Sequence, residues 1–204
     1  MKLADRKAIP VIEDCCLALG AKYKEKIVGT FGKAAYFSFQ WNKPYTTGIG
    51  GMAITSDMEL AKKIKVLCEK ELCQPSKKEV MLLAAELAVY RTFVYPRTTA
   101  IAQSLFRYLT KKGTVVGSSS SCEFKPEMKK DFFKAMSSVQ AGAGIRQLKK
   151  LGKNIEHRRE MAELYDELLL QKGWPTRNYD KKIMNPVMVR YPVRIKEKDK
   201  AIQQ

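Results

Sequence analysis

Histidine is almost missing from this chain: His157 is the only one in 204 residues. Without a second imidazole there is no histidine pair for a metal and no arrangement that argues a Ser/His/Asp relay. Its neighbours Glu156, Arg158 and Arg159 mark a polar helix face, so His157 reads as a surface residue. Cysteine is present but unpatterned, at positions 15, 16, 68, 73 and 122. An odd number without CxxC spacing supports neither a disulfide framework nor a zinc site, and reduced thiols in a cytosol are the simplest reading. Long apolar runs are also lacking. Val80–Tyr95, the most apolar stretch, is broken by Glu86 and Arg91 and falls short of the ~20 residues a spanning helix needs. A buried or interfacial helix is expected there. No apolar segment follows the charged start Met1–Lys7, so no signal peptide and a cytoplasmic location are expected.

Acidic residues are scarce as well, 21 against 38 basic ones, for a formal charge of +17. That excess attracts polyanions of any kind: nucleic acid, anionic membrane or a small polyanion. The cations are dispersed over helix-like segments such as Ala61–Lys70 and Arg146–Arg159, with no interleaved aromatics for base stacking. A solvated basic face is therefore preferred to a nucleic-acid surface.

What the chain does contain is an ordinary globular mixture, 45% hydrophobic and 29% charged, which predicts a packed core. Ile9–Ile12, stopped by Glu13 and Asp14, predicts a buried strand delivering a polar residue at its carboxyl edge. Lys22–Thr30, closed by Gly29 and Gly32, predicts a hairpin. Ala34–Phe39 and Gly51–Thr55 predict further strands around a loop holding Pro44 and Gly48. A helix from Asp57 to Lys70 is expected, with Ser56 as N-cap. Two helices, broken at Pro96, should occupy the stretch from Ser76 to about Lys111.

Gly113–Cys122, with four consecutive serines, reads as a linker and places the expected boundary between residues 1–122 and 123–204. Beyond it, Met136, Val139, Ala143, Leu148 and Leu151 form one apolar stripe, and Ile155, Ala162, Tyr165 and Leu169 another. A helical hairpin turning at Gly152–Asn154 is expected, its stripes serving as core or dimer contacts rather than ligand boxes. Val187–Ile195 then predicts a closing strand, after which the charged tail stops without a cap.

Chemistry concentrates in Pro10–Met52, which holds a strand-end carboxylate, Asp14, a lysine, Lys43, in a Pro/Gly/Thr-rich loop, and Ser38 five residues before that lysine. Singly these are weak signals, because strand-end aspartates usually serve turns. Together they supply the three group types that a pyridoxal cofactor needs. These are an amine for a Schiff base, a carboxylate to keep the pyridine nitrogen protonated, and a donor for the phosphate.

The segments IEDCCLALG, VGTFG, FSFQWNK and TTGIGGM resemble, in that order, the DegT/DnrJ/StrS family of fold-type I aminotransferases. The resemblance implies an α/β fold: part of a PLP-dependent transferase large domain, then a small C-terminal α/β domain. It implies Lys43 as the Schiff-base residue, Asp14 on the pyridinium nitrogen and Ser38 at the cofactor phosphate. Leu17 falls where the family usually places Gln or His against the cofactor ring. Also implied are pyridoxal 5'-phosphate as cofactor, glutamate as the amino donor, and a nucleotide-linked keto sugar as the substrate. A role in polysaccharide biosynthesis and a homodimer of the full-length protein follow from the same resemblance.

MSSVQAGAGIRQLKKL and NIEHRREMAELYDELL resemble the family's helices leading into its small domain. Phe133 and Ala135 stand where many relatives have Asn and Arg that reach the cofactor phosphate of the other subunit. The family's first part, with its phosphate loop and ring-stacking residue, has no counterpart before Met1, so a fragment is the expectation. The alternative is a non-catalytic binding or regulatory relative on the same scaffold, favoured by Leu17 and Phe133 and opposed by the retention of Lys43. Dehydratase relatives that replace the lysine by histidine do not match Lys43.

Overall fold

A computed structural model describes residues 2–93, 98–111 and 132–203. The expected break at Pro96 and the linker Gly113–Cys122 lie outside the described residues. In chain order come α1 (Lys2–Arg6), β1 (Ile12–Asp14), β2 (Lys22–Tyr23), β3 (Lys26–Ile27), β4 (Ala34–Ser38) and β5 (Gly51–Ile54). They are followed by α2 (Met58–Glu71), α3 (Lys77–Phe93), α4 (Thr99–Lys111), α5 (Ser138–Leu148), α6 (Leu151–Gln171), β6 (Met184–Asn185) and α7 (Lys198–Gln203).

The first sheet has the order β1-β4-β5, with β1 parallel and β5 antiparallel to β4. Strand β4 reads as an alternation: Ala35 and Phe37 point into the core while Tyr36 between them is exposed. Cys15, Ala35, Phe37 and Phe39 form the buried cluster, and Leu19, Val28, Tyr45 and Ile54 pack against it. Burial of each such phenylalanine contributes roughly 1.5–3 kcal/mol. The parallel pairing carries Asp14 and Ser38 to the carboxyl ends of neighbouring strands, the edge at which open α/β sheets present polar residues to ligands.

The hairpin expected in Lys22–Thr30 forms, turning on Lys24 (φ 46°) and Glu25 (φ 60°). Two left-handed residues match the twist of the flanking strands, although neither is the usual Asn or Gly. Its third strand comes from far along the chain: β6 pairs antiparallel with β2. The closing strand expected at Val187–Ile195 does not form. Pro186 and Pro192 remove backbone donors around that segment, and the pairing moves upstream to Met184–Asn185.

Helix α2 is capped by Asp57, not by Ser56 as expected. The Asp57 carboxylate accepts from Leu60 N–H at 3.0 Å while its own N–H donates to Thr55 Oγ1 at 3.1 Å. At the head of α3, Ser76 and Glu79 cap each other reciprocally. The apolar stretch there is helical through Phe93 but largely exposed: Leu83 is its one buried residue, and Met81 is 73% exposed. None of the described helices is long and apolar enough to cross a membrane.

A packed hairpin turning at Gly152–Asn154 is likewise absent. Helix α6 runs through those residues, and only Lys149 and Lys150 separate it from α5, both in right-handed helical geometry. The two helices therefore continue one another with a kink. The apolar stripe read from sequence is buried on α5 only in part: Ala143 is buried together with Gln140 and Gly144, while Leu148 is 60% exposed.

Candidate active site

Asp14 ends β1 beside Tyr36 of β4, and its Oδ1 accepts from the Cys16 backbone N–H at 3.0 Å. The Cys16 N–H, then the Cys16 thiol and the Tyr36 hydroxyl, hold the Asp14 carboxyl below the usual carboxylate range. The charge of Lys43 acts on it in the same direction. Asp14 is thus an anion at neutral pH, anchored by hydrogen bonds yet open to solvent. Cys16 is raised, by burial first and by Asp14 second, and its sulfur also meets the Ser38 backbone. The Lys43 charge reaches Cys16 too. The structure therefore brings Asp14, Ser38 and Lys43 to one end of the first sheet, with Cys16 among them. Leu17 lies on the turn after Asp14, 62% exposed, and offers only hydrocarbon.

Lys43 is half-buried in the loop between β4 and β5, where its N–H closes a turn onto the Gln40 carbonyl at 3.0 Å. Thr46 and Thr47, 5% and 1% exposed, tie the loop back to the end of β4: Thr46 Oγ1 and Thr47 N–H both donate to the Phe39 carbonyl at 3.0 Å. Gly48, at φ +88°, closes the loop where a Cβ would lie 2.8 Å from Leu83 Cδ1 and 3.0 Å from the Trp41 ring. Trp41 itself packs on Tyr90 of α3 and Phe106 of α4, at ring separations of 5.4 and 6.3 Å.

On the opposite side the loop meets α5 and α6. Gln140 Nε2 donates to the Ile49 carbonyl at 2.9 Å, and Thr46 N–H donates to Gln147 Oε1 at 3.1 Å, while Gln147 Nε2 donates back to the Thr46 carbonyl. Asn154 Nδ2 donates to the Pro44 carbonyl at 3.2 Å.

A second anchoring point stands one residue before Asp14. Glu13 accepts from three backbone N–H groups: Gly29 at 2.8 Å, and Phe31 and Gly32 at 2.7 Å each. Burial raises its carboxyl, but these bonds and the charge of Lys26 outweigh burial and leave it below the usual range. The segment VGTFG is thereby folded onto the strand that carries Asp14.

Residue-by-residue reading missed Glu13, Tyr36, Cys16 and the three amides of α5 and α6. Glu13 carried a signal in its position beside Asp14, and Gln140, Gln147 and Asn154 carried one in their regular spacing of seven. The donor set fits a pyridoxal group, with a lysine amine, a stably ionised carboxylate and a serine at one sheet edge. Among the described residues no cluster of His, Cys, Asp or Glu offers a metal site.

The model of the DegT/DnrJ/EryC1/StrS aminotransferase family matches residues 1–84 and 106–204. The chain belongs to this family. DegT/DnrJ/EryC1/StrS aminotransferases are PLP-dependent enzymes. The chain is 30% identical over 171 residues to L-glutamine:2-deoxy-scyllo-inosose aminotransferase of Streptoalloteichus tenebrarius, covering 84% of this chain and 32% of that protein. It is 53% identical over 60 residues to GDP-perosamine synthase of Escherichia coli O157:H7, covering 29% of this chain and 16% of that protein. The sugar aminotransferase CalS13 of Micromonospora echinospora shares the fold, with a TM-score of 0.60 and 16% identity over 99% of this chain and 45% of that one. Where the alignments are long, this DegT/DnrJ/EryC1/StrS chain spans about a third of the length of the curated relatives it matches, 32% in the first case.

Proposed function

We propose that the chain is part of a sugar aminotransferase that converts a keto group of a nucleotide-linked sugar into an amine, with glutamate as donor. The observation that carries this reading is the placement of Asp14 and Ser38 at the carboxyl ends of neighbouring strands, with the Lys43 loop following β4 and its charge reaching an Asp14 carboxylate held ionised by hydrogen bonds. Lys43 is the residue that would hold pyridoxal phosphate, Asp14 the partner of its ring nitrogen, and Ser38 a donor to its phosphate. Bound there, the cofactor supplies an electron sink for proton removal from the carbon that bears nitrogen. Lys43 Nζ, once free, takes and returns that proton as general base and acid. Asp14, kept anionic, sustains positive charge on its ring partner without needing a proton of its own. The basic surplus suits a diphosphate-bearing substrate. Residues 1–122 serve as the cofactor-binding part and 123–204 as the start of a smaller domain, in a cytoplasmic homodimer of the intact protein.

A second reading, a binding relative that keeps the scaffold, draws on the exposed Leu17 where a ring-contacting polar residue is usual. Reduction with borohydride in the presence of pyridoxal phosphate, followed by peptide mass spectrometry, separates the two. The aminotransferase reading expects the phosphopyridoxyl group on Lys43 in excess over exposed lysines such as Lys65, and its loss from that peptide in Lys43→Ala. Equal labelling of Lys43 and Lys65 would refute it.

A further inference from the structure

We propose that Gln140, Gln147 and Asn154 are positioning residues that form an amide clamp setting the place of Lys43. The inference rests on the cofactor-holding role given to Lys43 above. The three amides are spaced by seven, which on an α-helix is nearly two turns, or about 10 Å between successive members on one face. Lys149 and Lys150 separate α5 from α6, and on both sides of them the amides reach the same loop.

The loop is read in the opposite direction: Gln140 takes Ile49, Gln147 takes Thr46 and Asn154 takes Pro44. The loop thus runs antiparallel to α5 and α6 through its own turns, and Lys43 closes the Gln40 turn directly before the first clamped carbonyl.

Each amide uses both of its ends, so its oxygen and nitrogen are not interchangeable. Gln140 Oε1 accepts from Ser137 N–H and Oγ at 2.9 Å each, which leaves its NH2 aimed at Ile49. Asn154 Oδ1 accepts from Arg158 Nε at 2.8 Å, which leaves its NH2 aimed at Pro44. Gln147 pairs with both the N–H and the carbonyl of Thr46, in the manner of a neighbouring strand. Apolar residues would fill the same space, but only these amides specify which loop carbonyl stands where. Gly144 lets the helix approach closely enough: a Cβ there would lie 2.6 Å from Tyr45 Oη.

The test uses the whole chain and two readouts that need no activity. Hydrogen exchange of the amides of Thr46, Thr47 and Gly48 is compared between wild type, Gln147→Ala and Gln147→Glu, the last of which keeps an acceptor for Thr46 N–H but loses the donor to its carbonyl. Reductive methylation with formaldehyde measures Lys43 against the exposed Lys65 as an internal standard. Loss of the Gln147 pair should speed exchange of the loop by about ten- to a hundredfold, with strand amides at Ala35 and Phe37 unchanged. The freed Lys43 should methylate about tenfold faster relative to Lys65, while its trapping by pyridoxal phosphate and borohydride falls by a similar factor. General loosening is told apart by the strand amides at Ala35 and Phe37, whose exchange it would also speed. Unchanged exchange and methylation in Gln147→Ala, with helix content retained by circular dichroism, would overturn the clamp. Wild-type trapping with no preference for Lys43 would instead overturn the cofactor reading, and exchange and methylation judge the clamp in either case.

Discussion

Replacing Glu13 by Gln removes one negative charge from a carboxylate that accepts three backbone N–H bonds. If the Gln oxygen stays on Phe31 and Gly32, its NH2 faces the Gly29 N–H, donor against donor. A hydrogen bond to a charged group is worth about 1.5–3 kcal/mol and a neutral one about 1, and an unsatisfied buried donor costs about 1–3 kcal/mol. For three bonds the sum approaches 4 kcal/mol, and partial exposure of Glu13 to water reduces it to about 2 kcal/mol. Urea denaturation at pH 7 should show that loss as an earlier midpoint with an unchanged slope. The pH dependence has a definite sign. The Glu13 carboxyl is depressed in the folded chain, so its contribution is present above the carboxyl's ordinary pKa and disappears as pH falls through the folded value. The difference between wild type and Glu13→Gln should therefore narrow below about pH 4. Equal midpoints at pH 7, or a gap that widens on acidification, would refute the three-bond account of this residue.

Two further perturbations test other parts of the fold. Gly144→Ala places a methyl 2.6 Å from Tyr45 Oη and 3.3 Å from Thr47 Cγ2; it should destabilise the chain by about 1–3 kcal/mol, measured by urea, and disturb the Phe39–Tyr45 ring contact as seen in tyrosine fluorescence. Asp166→Ala strands Arg177, whose side chain is 7% exposed and which Asp166 holds bidentately while also accepting from Tyr191 Oη at 2.6 Å. A loss of about 3–5 kcal/mol is expected on thermal or urea unfolding, larger than for Tyr191→Phe, and a neutral outcome would remove this pair from the forces holding the C-terminal segment to α6.

Several elements were legible in the residues. The apolar run Ala34–Phe39 predicted a strand, which forms as β4, and the Gly51–Thr55 and Lys22–Thr30 readings also correspond to β5 and the β2–β3 hairpin. Where reading failed, a particular competitor won. Asp57 displaced Ser56 as a cap because its extended backbone put its carboxylate within reach of Leu60 N–H. Prolines 186 and 192 cancelled the pattern that argued for a closing strand. In α5 the apolar stripe was kept only at Ala143, because Gln140 and Gln147 beside it bond the backbone of the loop the helix packs on.

The order and chemistry of Asp14, Ser38 and Lys43, and with them the family, were written in local sequence, because each motif is a short run whose meaning survives without its neighbours. Tertiary structure alone decided what anchors them. The bonds from Glu13 to a loop sixteen to nineteen residues away, and from Gln147 to Thr46 across 101 residues, join partners through backbone groups that every residue type carries. A backbone N–H or carbonyl leaves no mark in the sequence of the residue that offers it, so these contacts become visible only when the chain has folded.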